Sequence, residues 1–348
     1  MIGGGADAES GGYYSARAGG DAGHAARFLK DYVTFMTTPG SHDDTYAESF
    51  HRAWFANYAR GVAPEACSKG TQGHDDSQIG AAVMIPPVAM AAAVGAARRA
   101  AAQGPAAARL AGEAAAAEAS VAHLRLTHDS PKLVPALARY GALVARVLLA
   151  PVSTTGAVAG AADGADAAAA AHAAAIADGA DGADPAGASS LPLLRSAASA
   201  ATALLKSEAA AEALRGVPGA GIKSLDVAEL AALAESPGAG WDDVRVVHRV
   251  TGPACYIESS WPAVMYLAAR HADPETPARG LRRGVEGNAN AGGENCHRGA
   301  ALGALLGCAA GERTGVPRGM REGRGGLRAG PEVRREVDAY LDAAIGKV

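Results

Sequence analysis

Two His-Asp-Asp triplets are the clearest candidates for metal or acid–base chemistry in the first part of the chain. The first consists of His42, Asp43 and Asp44, followed by Thr45. Its carboxylates are hard oxygen ligands of the kind that Mg²⁺ or Ca²⁺ prefers. The alternative is capping of a predicted helix, because a helix N-terminus favours negative charge and the residues from Thr45 to Glu48 have the capping-box form. The residues alone leave both interpretations open.

The second triplet, at residues 74–76, is followed by Ser77 and Gln78 and again precedes an apolar stretch. A polar loop in front of an apolar helix commonly has this composition. The alternative is a supporting or substrate-facing role beside the first triplet, and the sequence does not decide between the two.

A third polar tract lies near the C-terminal end. Asn288, Asn290, Gly292 and Gly293 predict a loop that can adopt positive φ angles.

Three chemically versatile side chains follow that loop at the predicted start of a helix. Glu294, Cys296 and His297 are a carboxylate, a thiol and an imidazole within four positions. Helix packing does not require these residue types. The alternative is a helix cap with a buried cysteine, and both interpretations stay open.

The elements that must position these tracts are predicted to be helices. Period-2 alternation is almost absent, whereas Tyr46, Phe50 and Trp54 fall on one helical face and residues 133–149 repeat at three- and four-residue spacings. Ser260 followed by Pro262 predicts another helix start, with serine as the cap. We predict an all-α protein.

Two further segments bear on packing. Gly299, Gly303 and Gly307 recur at every fourth position and predict a smooth face for close helix–helix approach. Residues 79–97 carry no charge, but they are rich in alanine and glycine and contain Pro86 in their middle. A membrane span needs about 20 strongly apolar residues, so we predict a buried helix with a kink or break.

Composition divides the chain into unequal parts. Residues 1–20 are rich in glycine and are expected to be disordered, and residues 21–311 are expected to form a single all-α domain. Within that domain, residues 155–190 repeat Ala, Gly and Asp and are predicted to be a low-complexity insertion. Residues 312–348 form a basic, glycine-rich tail with a short terminal helix at 332–345. Ten of the sixteen aromatic residues precede residue 59, so we expect the core to join the two ends of the chain.

Charge and cysteine content exclude several classes of function. The 348 residues carry a formal net charge of −4, which gives nucleic-acid binding little electrostatic support. The four cysteines lie far apart without a Cys-x-x-Cys motif, as expected in a reducing compartment. The sequence does not open with a charged stretch followed by an apolar segment, so we expect no secretory signal. We expect an intracellular, cytoplasmic protein that binds neither nucleic acid nor membrane.

The third tract and the segment before it resemble the C-terminal signature of the ADP-ribosylglycohydrolases. In that family a Glu, an apolar residue and Pro-Ala precede a helix, and Gly-Gly-Asp-Thr-Asp-Thr then opens a helix with Gly-Ala-Leu-x-Gly. The first triplet resembles the family's upstream Thr-Asp-Asp-Thr. The matching segments, which in order cover most of the chain between residues 41 and 310, are 42–45, Thr127-His128, 258–263 and 292–307.

The resemblance implies an all-α bundle with two Mg²⁺ ions at its centre. Known relatives hydrolyse the bond that joins ADP-ribose to a protein side chain or to another ADP-ribose. Asp43 and Asp44 fall on the metal-binding aspartates of the upstream motif, and Glu294 falls on the first aspartate of the downstream motif. Cys296 falls on the second aspartate and His297 on the threonine after it.

The departures from the family pattern affect the expected cofactor. A thiol and an imidazole suit Zn²⁺, Fe²⁺ or Co²⁺ better than Mg²⁺, so a softer divalent metal is the alternative to Mg²⁺. The family's opening Gly-Asp-Ala-x-Gly segment is not recognisable in residues 1–40. Some relatives are not enzymes, including a lens crystallin, so an inactive nucleotide-binding or structural protein is the alternative function.

The sequence therefore predicts a metal-dependent hydrolase whose partner is a small molecule or protein that carries ADP-ribose. The expected catalytic residues are Asp43, Asp44 and Glu294. The expected metal ligands are these three together with Cys296 and His297. The expected substrate-binding residues are His42, Thr45, Asn288, Asn290, Gly292 and Gly293.

Overall fold

The computed structural model shows the all-α architecture that the sequence predicts. It describes residues 20–42, 47–71, 77–151, 185–215, 242–311, 315–316 and 330–345. In these residues the only β-type pairing is a single antiparallel bridge between Gln78 and Tyr256. The first triplet at Asp43 and Asp44, the second triplet, and residues 155–184 of the predicted insertion lie outside the described residues.

Five α-helices and three 3-10 turns make up the first half of the described chain. The helices are α1 (Gly20–Thr37), α2 (Ser49–Ala59), α3 (Ile85–Ala100), α4 (Pro105–Thr127) and α5 (Leu133–Leu148). The 3-10 turns are Pro64–Ala66, Ile79–Met84 and Ala101–Gln103.

Six helices follow in the second half. They are α6 (Pro185–Arg215), the short α7 (Asp243–Val246), α8 (Ile257–His271), α9 (Pro277–Ala291), α10 (Asn295–Ala310) and α11 (Gly330–Ile345). A π-helical turn, Val247–Thr251, continues α7. Residues 185–190, at the end of the predicted insertion, belong to the first turns of α6.

The main core forms where α3, α4 and α5 pack together and where α8 packs against α6 and α10. Tyr140 of α5 is fully buried and joins these two groups of helices. Its hydroxyl donates to the Ala301 carbonyl oxygen of α10 at 2.9 Å, and its ring meets Trp261 of α8 edge to face at 6.2 Å. A buried tyrosine hydroxyl needs such a partner, so this residue fixes three helices at once.

The core contains few aromatic residues because its helices approach one another closely. A Cβ at Gly141 of α5 would lie 2.8 Å from the Ala116 carbonyl oxygen of α4, and one at Gly112 would lie 3.0 Å from the Ala93 carbonyl oxygen of α3. Real Cβ atoms do not tolerate the first distance, so glycine is required at this crossing. Close backbone contact therefore replaces large side chains.

The sequence predicts that the core joins the two ends of the chain, but the aromatic cluster of the N-terminal segment lies outside the main core. Leu29, Trp54 and Cys67 form a separate small cluster with the neighbouring aromatic rings. This cluster sits on the end of α4, where the Trp54 indole donates to the Leu126 carbonyl oxygen at 3.1 Å. The N-terminal helices thus form a layer on the core and are not part of it.

The predicted break in the apolar segment is confirmed. The 3-10 turn Ile79–Met84 passes directly into α3, whose first turn contains Pro86 and Pro87. In the described residues this is the one helical run with the length and composition to cross a membrane, Ile79–Gln103, and 56% of its most apolar window is buried in the protein.

Two predicted helix starts are wrong. Helix α2 begins at Ser49, with Glu48 and not Thr45 at the N-cap position, and the Glu48 side chain makes no capping bond. Helix α8 begins at Ile257, before Ser260, whose buried hydroxyl donates to the Ala254 carbonyl oxygen at 2.7 Å. Glu48 contacts His297 from a distant part of the chain, and Ser260 bonds a carbonyl six residues earlier, so neither side chain serves the cap that the local pattern assigns to it.

Two further expectations fail in α9 and α10. The predicted Asn-Gly loop is helical as far as Ala291, so the turn is limited to the residues before Asn295. Within the part of the chain that the structure describes, a Cβ at Gly303 or at Gly307 would meet no atom within 4 Å, so these glycines serve no close packing there. Of the three spaced glycines only Gly299 is approached, by the Asn288 amide.

Histidines at the end of α4 make the free energy of unfolding depend on pH. Burial, with neighbouring histidines adding to it, lowers the pKa of His123 and of His128 from 6.5 to about 3. Below pH 6.5 the unfolded chain therefore binds protons that the folded chain excludes. We predict that stability falls as the pH decreases from 6.5 towards 3, with a slope of about 1.4 kcal/mol per pH unit for each histidine.

Urea denaturation at several pH values between 4 and 7 measures this slope. The variant His128→Asn keeps a polar group beside Thr127, which bonds the His128 Nδ1 atom at 2.7 Å, and removes one titrating group. Its slope should be shallower than that of the native protein. An unchanged slope would contradict the assignment to His128.

Candidate functional site

Four segments meet at one end of the bundle. Residues 253–257 run between residues 77–79 on one side and the start of α10 on the other. The Ile79 amide donates to Cys255 at 2.8 Å, the Ile257 amide donates to Ser77 at 2.6 Å, and the Glu294 amide donates to Pro253 at 2.9 Å. These backbone bonds hold the second and third polar tracts next to each other.

Glu294 caps α10 and also faces an imidazole. Its Oε1 atom accepts a hydrogen bond from the His297 amide at 3.1 Å, as an N-cap carboxylate does. The same oxygen lies 3.2 Å from the His297 Nδ1 atom. The helix cap therefore fixes the separation of the two side chains that the sequence singles out.

Glu48 enters the same site from the other end of the chain. Its side chain is only 7% exposed, and its Oε1 atom lies 3.5 Å from the His297 Nδ1 atom. Gly80 makes this approach possible, because a Cβ there would collide with the Glu48 carboxylate. A carboxylate and an imidazole from opposite ends of the chain thus meet in a part of the protein that excludes most water.

His51 and Tyr32 lie behind Glu48. The His51 Nε2 atom is 3.9 Å from the Glu48 Oε2 atom, and the His51 Nδ1 atom is hydrogen-bonded to the Tyr32 hydroxyl at 2.5 Å. Burial and then the charge of His297 lower the pKa of His51. Burial and then the charge of Glu48 raise the pKa of Tyr32 above its ordinary value of 10.0. Both groups are therefore neutral near pH 7.

The second triplet ends beside another carboxylate. Ser77 follows it directly, is buried, and donates through its hydroxyl to the Glu258 Oε2 atom in the first turn of α8 at 3.0 Å. Glu258 belongs to the segment that resembles the family signature. The structure thus brings the residue after Asp76 into the same end of the bundle as Glu48 and Glu294.

A buried arginine shapes the turn before α10. Arg298 is fully buried; its Nε atom donates to the Asn288 Oδ1 atom at 2.6 Å, and its Nη2 atom donates to the Gly292 carbonyl oxygen at 2.7 Å. The Asn288 amide in turn donates to the Asn295 carbonyl oxygen at 2.8 Å. Burial lowers the pKa of the Arg298 guanidinium, which the Glu294 carboxylate partly offsets. This network holds the positive φ angles of Gly292 and Gly293, both +64°.

The remaining predicted site residues occupy different places. His42 stacks on Phe35 at the end of α1, with ring centroids 5.2 Å apart. Cys296 and Asn290 are exposed. The Asn288 amide is engaged within the turn, as described above. Asp43, Asp44 and Thr45 lie outside the described residues, so the shared site predicted for Asp43, Asp44 and Glu294 stays a prediction.

The Thr-His pair at the end of α4 supports the site from below. Thr127 and His128 are both buried, and the His128 ring packs on Phe50 at 4.2 Å and on His51 at 5.8 Å between centroids. The His128 ring therefore packs against His51 and limits the positions that the His51 ring can take.

Sequence reasoning missed Glu48, His51, Tyr32 and Ser77. Glu48 was interpreted as part of a capping box, and Tyr32 and His51 belong to an aromatic-rich segment that resembled ordinary core. Their connection to His297 is a long-range contact that no local spacing encodes. Only Ser77 carried a local signal, its position directly after an acidic triplet.

The arrangement defines an all-α protein with carboxylates and imidazoles gathered where four segments meet. A family model described as ADP-ribosylglycohydrolase matches residues 12–346. This match covers nearly the whole chain, and the chain therefore belongs to the ADP-ribosylglycohydrolase superfamily. No curated protein and no solved structure matches it significantly.

The Arg298 network predicts a large effect of a conservative substitution. Arg298→Lys keeps the charge but cannot reproduce the forked hydrogen bonds to Asn288 and Gly292, so buried acceptors lose their partners. We expect a loss of about 2 kcal/mol or more in the free energy of unfolding. The control, Arg282→Lys, alters an exposed pair with Glu286 and should leave the free energy of unfolding nearly unchanged. Equal effects of the two variants in chemical denaturation would be inconsistent with the network.

The approach of Glu48 to Gly80 predicts opposite effects of the same substitution at two glycines. Gly80→Ala places a methyl group against the buried carboxylate and should destabilise the protein by about 1–3 kcal/mol. Gly303→Ala adds a methyl group in open space within α10 and should stabilise it by about 0.5–1 kcal/mol. Thermal and urea unfolding measure both changes. A neutral Gly80→Ala variant would show that Glu48 does not occupy this position.

Proposed function

We propose that the protein is a divalent-metal-dependent hydrolase that cleaves the glycosidic bond of ADP-ribose attached to a protein or to a related nucleotide conjugate. Membership of the superfamily supports the reaction class. The observation that carries the proposal is the meeting of Glu48 with His297 and Glu294. A purely structural member of the fold has no need to bury a carboxylate beside a second carboxylate.

The charge balance of this site favours a cation. Two carboxylate oxygens lie 3.2 Å and 3.5 Å from the His297 Nδ1 atom, yet among the described residues this buried nitrogen has no hydrogen-bond partner of acceptable geometry. Among the described residues, no three His, Cys, Asp or Glu side chains have the spacing to hold a metal ion by themselves. The proposed ion therefore requires Asp43 and Asp44 in addition to Glu294, with Cys296 and His297 as softer candidate ligands.

Hydrolysis requires a group that takes a proton from the attacking water and a group that returns one to the leaving atom. Water oxygen bonds to the anomeric carbon of the ribose, and the bond from that carbon to the side-chain or sugar atom breaks. Glu48 and Glu294 are the described carboxylates that we assign to these proton transfers. A bound divalent cation would supply positive charge that offsets the carboxylates and orients the ribose hydroxyls.

The turn before α10 is suited to the pyrophosphate. The Gly292 amide donates to the Ala289 carbonyl oxygen at 3.2 Å and is not available. Among the described residues the Gly293 amide makes no such bond, and it precedes the N-terminus of α10, where backbone amides favour an anion. We assign the pyrophosphate contact to the Gly293 amide.

A hydrolysis screen tests the proposal. Protein purified without chelator is incubated with ADP-ribosylated protein and with ADP-ribose polymer, and free ADP-ribose is quantified by chromatography with Mg²⁺, Mn²⁺ or EDTA. We expect metal-dependent release that Glu294→Gln lowers at least about 100-fold. Glu286→Gln, at an exposed glutamate of α9, is the matched control and should retain activity.

The same protein is titrated with ADP-ribose by calorimetry. If ADP-ribose binds but no substrate is hydrolysed with any of the metals, the protein is a nucleotide-binding protein on the same fold and not a hydrolase. If ADP-ribose does not bind and no ADP-ribose is released, both functions are refuted.

A further inference from the structure

Tyr32, His51 and Glu48 form a line that leads from α1 through α2 to α10. Tyr32 is hydrogen-bonded to His51, His51 faces the Glu48 Oε2 atom, and the Glu48 Oε1 atom faces His297. Each of the two carboxylate oxygens therefore has its own imidazole neighbour.

The positions of the protons along this line follow from the partners. The His51 Nε2 atom lies 3.9 Å from the Glu48 Oε2 atom, an ion-pair contact longer than a hydrogen bond, and since a carboxylate only accepts, this contact favours the tautomer with the proton on Nε2. The other nitrogen, Nδ1, is then an acceptor and receives the proton of the Tyr32 hydroxyl. The raised pKa of Tyr32 and the lowered pKa of His51 agree with a neutral pair.

We propose that Tyr32 and His51 are positioning residues that fix the orientation of Glu48 and, through Glu48, of His297. Tyr32 selects the tautomer of His51 with its proton on Nε2, and His51 directs that proton at the Glu48 Oε2 atom. The Glu48 Oε1 atom is thereby held towards His297. The importance of this line for catalysis rests on the proposed hydrolase function, whereas the tautomer and the coupling to His297 do not.

The Tyr32 hydroxyl can be tested apart from the packing of its ring. The ring contacts Trp54 edge to face at 5.0 Å and Phe55 at 5.2 Å. Tyr32→Phe keeps both contacts and removes only the hydroxyl. Tyr58→Phe is a matched control, because Tyr58 belongs to the same aromatic cluster and stacks on Trp54 at 5.7 Å.

The first measurement is ¹⁵N NMR of the full-length protein with labelled histidine, since imidazole nitrogen shifts distinguish the two neutral tautomers. We expect His51 in the Nε2–H form in the native protein. Tyr32→Phe should shift His51 towards a mixture of tautomers and should also move the His297 resonances, whereas Tyr58→Phe should leave both unchanged. His51 in the Nδ1–H form, or His297 resonances unaffected by Tyr32→Phe, would overturn the proposal.

The second measurement uses two isosteric variants of His51 in the hydrolysis assay. His51→Gln keeps a donor near the position of Nε2 and loses the contact with Tyr32. His51→Asn keeps a partner for Tyr32 and loses the group that faces Glu48. Removal of such supporting contacts typically lowers activity 10- to 100-fold. We expect His51→Asn to lose about that much in kcat with a smaller change in KM, and His51→Gln to retain more.

The two measurements separate the possible failures. Equal losses in His51→Gln and His51→Asn would indicate a packing role for His51 and would contradict the positioning role. Absence of hydrolysis in the native protein would refute the proposed function, while the NMR experiment would still decide whether Tyr32 and His51 orient Glu48 and His297.

Discussion

The burial of the Glu48 carboxylate is the constraint on which the rest of the site depends. A carboxylate removed from water is costly unless charged or polar groups surround it. Here the compensation comes from His51 on its own helix and from His297 at the opposite end of the chain. The contact with His297 forms only when the N-terminal layer docks on the bundle in this register, so the buried carboxylate favours this register.

The close packing of the bundle makes this docking possible. Glycine and alanine at the helix crossings allow α3, α4 and α5 to approach closely. Gly80, in the 3-10 turn before α3, extends the same principle to the site, where it leaves room for Glu48. On the far side of the site, Arg298 fixes the turn that begins α10 and so places Glu294 and His297. The space at Gly80 therefore admits Glu48 on one side of the site. On the other side, the Arg298 network holds Glu294 and His297.

The sequence was sufficient for features that depend on periodicity or on motif order. The all-α class, helix α5 and the family followed from helical spacing and from colinear motifs, and the structure and the family match confirm them. Predictions based on local capping signals failed at Thr45 and Ser260, because Glu48 contacts His297 far along the chain and Ser260 bonds the Ala254 carbonyl in the turn before α8. The predicted Asn-Gly loop failed because Asn288 is buried in a helix, where it binds Arg298.

The connection between Glu48, His51 and Tyr32 was not accessible to sequence reasoning. Each residue by itself is an ordinary member of an amphipathic helix or its N-terminus. Their chemistry arises only when α1, α2 and α10 come together, and pairwise contacts across the length of the chain leave no trace in the spacing of a single sequence. The third tract was different, since Glu294, Cys296 and His297 are chemically unusual for their local context.

The contact between Glu48 and His297 joins the two ends of the chain, and a double-mutant cycle between these two residues measures it. The free energy of unfolding is measured by urea denaturation, with chelator present, for the native protein, Glu48→Gln, His297→Gln and the double variant. The structure predicts a coupling energy between about 0.5 and 3 kcal/mol, as for side chains in contact. If the changes in the free energy of unfolding of the two single variants sum to that of the double variant within about 0.3 kcal/mol, Glu48 and His297 do not touch. The site described above would then not exist.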